Sequence, residues 1–327
     1  EDGYVIDWVE DENRLGWYYC ELNSEGQFSP SFIPVKFPAL SGLEIPKYLR
    51  ETFPRVREFR HESVSRGSSH QSPMGRKTST TLIRPLVFLV DFIDLPLGMS
   101  DNTHTKEQFK ALLFEPELNP NDWDLPSNYN MSVRDYYYEV SNDKLEIFGD
   151  DESIVNWVTA NNSYSYYVDG EHGTGQGPNG PSQSAAALLV EVIMKKHEEI
   201  TFSDFDGNDD GVVDCVILII RGWMSGTKNQ FWPHMSTIPS SIIPNDFTNG
   251  VFAFQNKVIK KFIVIPEQYH LTDDDFVKKK IHPIGTICHE IGHILGLPDL
   301  YDTMRPENDQ IRDVSEWGLM AAGNWNK

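Results

Sequence analysis

Cys288-His289-Glu290-Ile291-Gly292-His293-Ile294-Leu295-Gly296-Leu297-Pro298-Asp299 decides how this chain is read. His289 and His293 stand four residues apart, so on an α-helix both imidazoles leave one face, one turn apart. Two imidazoles placed in that way take adjacent corners of a zinc tetrahedron. Glu290 lies between them in sequence and is directed toward the water such a metal would carry, which is the place of a general base. Gly296 predicts the helix stop, because glycine enters the left-handed conformation at the least cost. Pro298 cannot continue a helix. The chain therefore turns back and offers Asp299 as third ligand, leaving a fourth position for water, as catalytic zinc sites do. A chance H-E-x-x-H is expected in about 2 sequences in 100 of this composition, and requiring Gly296 and Asp299 as well lowers that to about 2 in 10,000. The apolar residues around the motif (Ile284, Ile287, Ile291, Ile294, Leu295, Leu297) predict a buried helix, on which two histidines and a glutamate need a reason.

Downstream runs Ser315-Glu316-Trp317-Gly318-Leu319-Met320-Ala321-Ala322-Gly323-Asn324-Trp325. It resembles the Met-turn of the metzincin clan, in which a methionine forms an apolar floor beneath the metal, and Met320 is the candidate. Residues 289–302, H-E-I-G-H-I-L-G-L-P-D-L-Y-D, resemble the signature of the immune inhibitor A family of metallopeptidases. That family uses Asp as third ligand and continues with Pro-Asp-x-Tyr-Asp. Residues 84–94, 132–149 and 204–214 resemble it too, as does Phe231-Trp232-Pro233-His234. The resemblance implies a secreted, zinc-dependent endopeptidase of protein or peptide substrates, made with a pro-region and often binding calcium. It also implies a metzincin-type α/β fold. A twisted mixed sheet with two long helices would lie above a small irregular part carrying Asp299 and Met320.

Composition narrows the reading further. The 327 residues allow one large domain or two smaller ones. A formal net charge of −21 argues against nucleic acid and anionic membrane as partners, and suits an extracellular protein that binds cations. No stretch approaches the length of a membrane span. The chain opens at Glu1 with neither an initiator Met nor a hydrophobic leader, so a signal peptide, if there was one, is expected to have been removed. Cys20, Cys215 and Cys288 are too widely spaced to signal a disulfide framework. Cys215 and Cys288 read as core thiols, and Cys20 as part of a packed hairpin, with a thiolate that blocks zinc as the alternative. The oligomeric state is not legible.

Taken in order, residues 1–61 read as a small β-rich pro-region. Residues 62–81, rich in Ser, Gly, His, Arg and Lys, read as an exposed linker with Arg66 and Arg76-Lys77 as candidate cleavage points. Residues 82–327 read as the catalytic domain, expected to be incomplete at its C-terminus because Lys327 follows so soon after the Met-turn. Residues 86–92 are a continuous apolar run and predict a central strand. Helices are expected over 105–114 with Thr105 as cap, over 132–140 with Ser132 as cap, and over 181–200. Residues 261–266 are the candidate edge strand along which an extended substrate would pair. His234 reads as structural first, and as a substrate-contact group second.

A second motif spans residues 204–214. Asp206, Asn208 and Asp210 alternate, Gly211 supplies a sharp turn, the Val212 carbonyl follows, and Asp214 takes the ninth loop position. This matches the first half of an EF-hand-type calcium loop. Ile217 stands where the closing glutamate belongs, and an apolar strand follows instead of a helix, so the expectation is a calcium loop that feeds a strand. The mechanism expected of the whole is zinc-assisted peptide hydrolysis with Glu290 as base. A rival of another class is a latent or non-catalytic extracellular calcium-binding module. A thermolysin-like enzyme with Glu316 as third ligand is disfavoured by Gly296 and Asp299.

Overall fold

The computed structural model describes residues 6–10, 15–22, 28–34, 80–94, 104–224, 227–247, 250–269, 280–300 and 317–325. The chain divides into two compact units, Glu1–Met74 and Gly75–Lys327. In the first, β1 (Ile6–Glu10), β2 (Leu15–Leu22) and β3 (Phe28–Pro34) form an antiparallel sheet in that order. The side chain of Cys20, the expected linker up to residue 79, Tyr301 and Glu316 lie outside the described residues.

The second unit is built on a five-stranded sheet. It opens with β4 (Thr81–Ile83) and β5 (Leu86–Asp91), followed by α1 (Lys106–Phe114) and α2 (Val133–Val140). Then come β6 (Leu145–Ile147), β7 (Ile154–Thr159), α3 (Tyr164–Val168), α4 (Ala185–Lys196) and β8 (Val216–Trp223). The chain goes on with β9 (His234–Thr237), a hairpin of β10 (Ala253–Phe254) and β11 (Lys257–Val258), β12 (Lys261–Gln268) and α5 (Ile284–Ile294). The sheet order is β7-β5-β8-β12-β9. All neighbours are parallel except β9, which runs antiparallel to β12. β4 and β6 pair separately.

Period-two alternation explains the layers. Leu86, Phe88 and Val90 of β5, Leu218 and Ile220 of β8, and Phe262 and Val264 of β12 face one core, closed by α3 and α4. Val87, Leu89, Ile217, Ile219, Ile263 and Ile265 face the other, closed by α1, α2 and α5. Both faces are covered, which is why these strands read as unbroken apolar runs. Each fully buried Leu, Ile or Phe contributes about 1.5–3 kcal/mol. The helix that carries the histidines is thus one layer of the main core, fixed through Ile287, Cys288 and Ile291.

The expected caps form. Thr105 and Ser132 each accept from the backbone three residues on and complete a capping box. The helix expected over 181–200 is shorter. Ser184 caps it, Pro181 lies in a preceding 3-10 turn, and His197–Glu199 forms another after it. The apolar periodicity marks the buried face, whereas the ends follow the cap. The strand at 261–266 is not an edge. β12 lies between β8 and β9, buried through Gln268, and the edge on the side of α5 is β9.

Candidate active site

α5 runs to Ile294 and then stops, with Gly296 at φ +92°, in the left-handed region glycine favours. The Leu297 N–H donates to the Gly292 carbonyl at 2.9 Å, turning the chain back. The next anchor is the Leu300 N–H, which donates to the Met320 carbonyl at 2.7 Å. Asp299 is held between these two bonds. Met320 is buried, and a β-carbon added at Gly292 would come within 2.5 Å of its Sδ. The methionine therefore lies against the helix, at the turn between the two histidines.

Three ligand atoms meet at this place. His289 Nε2, His293 Nε2 and Asp299 Oδ1 are mutually 3.2 Å apart. His289 Nδ1 is 2.8 Å from the Leu319 carbonyl, and His293 Nδ1 is 2.9 Å from the Leu297 carbonyl. A carbonyl only accepts, so each Nδ1 carries the ring proton and each Nε2 presents a lone pair. Two lone pairs and a carboxylate oxygen thus converge with no proton between them. Such a set repels itself unless a cation lies at its centre. Three ligands of a tetrahedral zinc at about 2.0 Å are about 3.3 Å apart, so the residues fit the metal. Among the described residues, this is the one group of three or more His, Cys, Asp or Glu side chains whose ligand atoms gather so closely.

Glu290 is 4% exposed and lines the same cleft of about 730 Å³ as the three. Its Oε2 has no hydrogen-bond partner. Burial, and then the negative Asp299, push its carboxyl up to about 8, while a bond from the Met235 backbone acts against them. A cation at the trio would pull the value back down, since positive charge favours the carboxylate. His289 is lowered, chiefly by burial, which favours the neutral ligand form.

The cleft's opposite wall is the edge strand. His234 and Met235 of β9 line it together with Trp232 and Pro233. His234 Nδ1 donates to the Trp232 carbonyl at 2.7 Å, and burial lowers the imidazole's pKa, which favours the neutral ring. Asn324 closes the cleft from the Met320 segment, with its amide nitrogen 3.1 Å from His289 Nδ1. Sequence reasoning missed Leu319, Asn324 and the edge role of β9. A backbone carbonyl leaves no residue-type signature. Asn324 stood in the quoted Met320 stretch without a spacing that marked it.

Residues 206–214 form a closed loop away from this cleft. Asp206 is buried and accepts from the backbone N–H groups of Asp210 at 3.1 Å and Gly211 at 2.9 Å. Asn208 accepts from Asp210 N, Asp210 from Val212 N, and Asp214 from Gly207 N. Lys257, carried in by the β10–β11 hairpin, sets its ammonium 2.6 Å from Asp206 and 3.0 Å from Asp209. The Asp206 carboxyl is held low by that lysine first.

Comparison with known proteins matches residues 71–327 to the catalytic domain of the immune inhibitor A peptidases, peptidase M6. The chain belongs to this family. The pre-pro-metalloprotease PrtV of Vibrio cholerae serotype O1 (strain M66-2) is 25% identical over 280 residues. Immune inhibitor A of Bacillus thuringiensis subsp. alesti is 24% identical over 267 residues. Each alignment covers 73% of this chain, but only 27% of PrtV and 36% of immune inhibitor A. The chain thus spans about a third or less of the length of these curated relatives. The mixed α/β architecture is that of a peptidase domain of this family.

Proposed function

We propose that this chain is the catalytic part of a secreted zinc metalloendopeptidase, with His289, His293 and Asp299 as metal ligands and Glu290 as general base. The observation that carries it is the convergence of three proton-free ligand atoms, 3.2 Å apart, in a cleft shared with buried Glu290. Membership in the peptidase M6 family and likeness to a relative named a metalloprotease together support a metal. Two imidazoles and one carboxylate at tetrahedral spacing support zinc. When bound, zinc supplies a Lewis acid that polarises a peptide carbonyl and acidifies a water.

The residues around it do the rest. Glu290 takes the water's proton and delivers it to the leaving amine. Its burial suits a base that must hold that proton briefly, and the Met235 backbone favours its ionised form. The position of β9 at the sheet edge, among the described residues, supports an endopeptidase. An extended segment that adds to this edge passes directly beside Glu290, because His234 and Met235 line the cleft.

Secretion and a pro-region over residues 1–61 rest on the net charge of −21 and on the pre-pro form named for PrtV. No helix of the described residues is long and apolar enough to cross a membrane. Calcium belongs to the proposal at Asp206, Asn208, Asp210, the Val212 carbonyl and Asp214. The loop's alternation supports it, and Lys257 competes for Asp206. A calcium titration that leaves the melting temperature unchanged would remove this part.

Digestion of casein by the full chain tests the main reading. Cleavage should stop with a chelator and return with zinc. Glu290→Gln should keep the metal and lower turnover by about 10²-fold or more. A zinc-loaded chain that leaves casein and unfolded peptides intact would contradict the endopeptidase reading.

A further inference from the structure

His289 Nδ1 has two neighbours, and only one of them explains the tautomer a metal needs. The Leu319 carbonyl at 2.8 Å requires a proton on Nδ1. On the same atom, at 3.1 Å, lies the side-chain amide of Asn324. With the amide nitrogen toward Nδ1, two N–H groups face each other. In that orientation the Asn324 oxygen is buried and has no donor. The side chain is 5% exposed, so this oxygen has little access to bulk solvent. A half-turn of the amide removes the donor–donor contact and brings the oxygen within reach of Nδ1–H. The oxygen then accepts from Nδ1–H beside the Leu319 carbonyl, and the Nε2 lone pair stays directed at the ligand trio. The opposite pairing, an amide N–H donated to a bare Nδ1, would place the ring proton on Nε2 and close that atom to a metal.

We propose that Asn324 is a positioning residue of the metal centre, which turns its side-chain oxygen to Nδ1–H and so holds His289 in the tautomer and ring orientation that bind zinc. The inference rests on the metal-centre reading above. The acceptor beside a ligand histidine fixes its tautomer and raises its basicity, and losing such a partner typically weakens a metal about 10–100-fold. The Leu319 carbonyl remains in any Asn324 variant, so the loss belongs at the lower end of that range.

The test is the zinc affinity of the full 327-residue chain, measured by competition with a chromophoric chelator. The variants are Asn324→Ala, Asn324→Leu and Asn324→Asp, each shown by its metal-free melting temperature to be folded. Asn324→Leu keeps the volume without an acceptor, whereas Asn324→Asp keeps an acceptor. Zinc affinity should fall about 10-fold in Ala and in Leu. It should stay within about 3-fold of the parent in Asp, and casein turnover at saturating zinc should follow the same order. A packing role would instead spare Leu and penalise Asp, and that order would overturn the proposal. Parental affinity in Ala and Leu would overturn it while leaving the metal centre standing. A parent chain that binds no zinc would overturn both together.

Discussion

Tyr137 shows how a single hydroxyl supports the site from a distance. It belongs to α2, is buried, and donates to the Cys288 carbonyl at 2.6 Å, one residue before the first histidine. Burial raises its phenol far above the ordinary range, so it is a donor at any working pH. Tyr129 does the same for the Ile281 carbonyl at 2.8 Å, ahead of α5. Tyr137→Phe should cost about 1 kcal/mol, because the carbonyl keeps its helical partner and only the tyrosine bond is lost. A lower urea midpoint with unchanged zinc content checks this. An unchanged midpoint would show that the bond contributes nothing net. Neither tyrosine was legible as a support, since its partner is a backbone atom about 150 residues away in the chain.

At the scale of elements, β9 carries the most consequence for its length. Its Met235 lies opposite Ile263 of β12, and the Met235 backbone also supports Glu290. An ionised carboxyl only accepts, so the Met235 group that favours it is the N–H, and an edge strand has N–H groups that point away from its ladder. Proline is tolerated on edge strands for that reason. Met235→Pro should therefore lower casein turnover about 10-fold or more, the size of one lost bond to a charged acceptor. It should lower the urea midpoint little. Equal losses in both would mean that β9 itself had come apart. The strand's position also marks where sequence reading ends. The apolar run of 261–266 is a strand, as its residues require, but neither its alternation nor its length says which neighbour lies beyond it. His234–Thr237 is only half-buried and mixed in character, so no periodicity marks it. The helix ligands were legible because a four-residue spacing fixes a shared face, and Gly296 because only a turn uses it there. Leu319 and Asn324 were not, because their role depends on how a later turn meets the helix.

The whole molecule brings one buried imidazole into the stability account. His282 is 0% exposed, sits between β12 and α5, and has no well-formed bond on either ring nitrogen. Burial lowers its pKa to about 4, and the backbone at Gln268 and Pro266 offsets this only in part. Its folded-state pKa is thus below the unfolded value of about 6.5. The unfolded chain binds the proton more readily between those values, so the stability is fully present above pH ~6.5 and is lost as pH falls toward 4. The loss from this group amounts to about 3 kcal/mol. Urea midpoints between pH 7 and pH 4 should fall more steeply for the parent than for His282→Asn. Parallel slopes would show that other groups dominate acid sensitivity. The same loss would loosen the start of α5, and with it the ligand helix.

The central claim is that His289, His293 and Asp299 hold one zinc ion. Elemental analysis of the purified chain beside Asp299→Ala tests it most directly. One zinc per chain in the parent, with loss or strong weakening in the variant, is the predicted result. A parent free of zinc after loading, or a variant that binds it as tightly as the parent, would contradict the account.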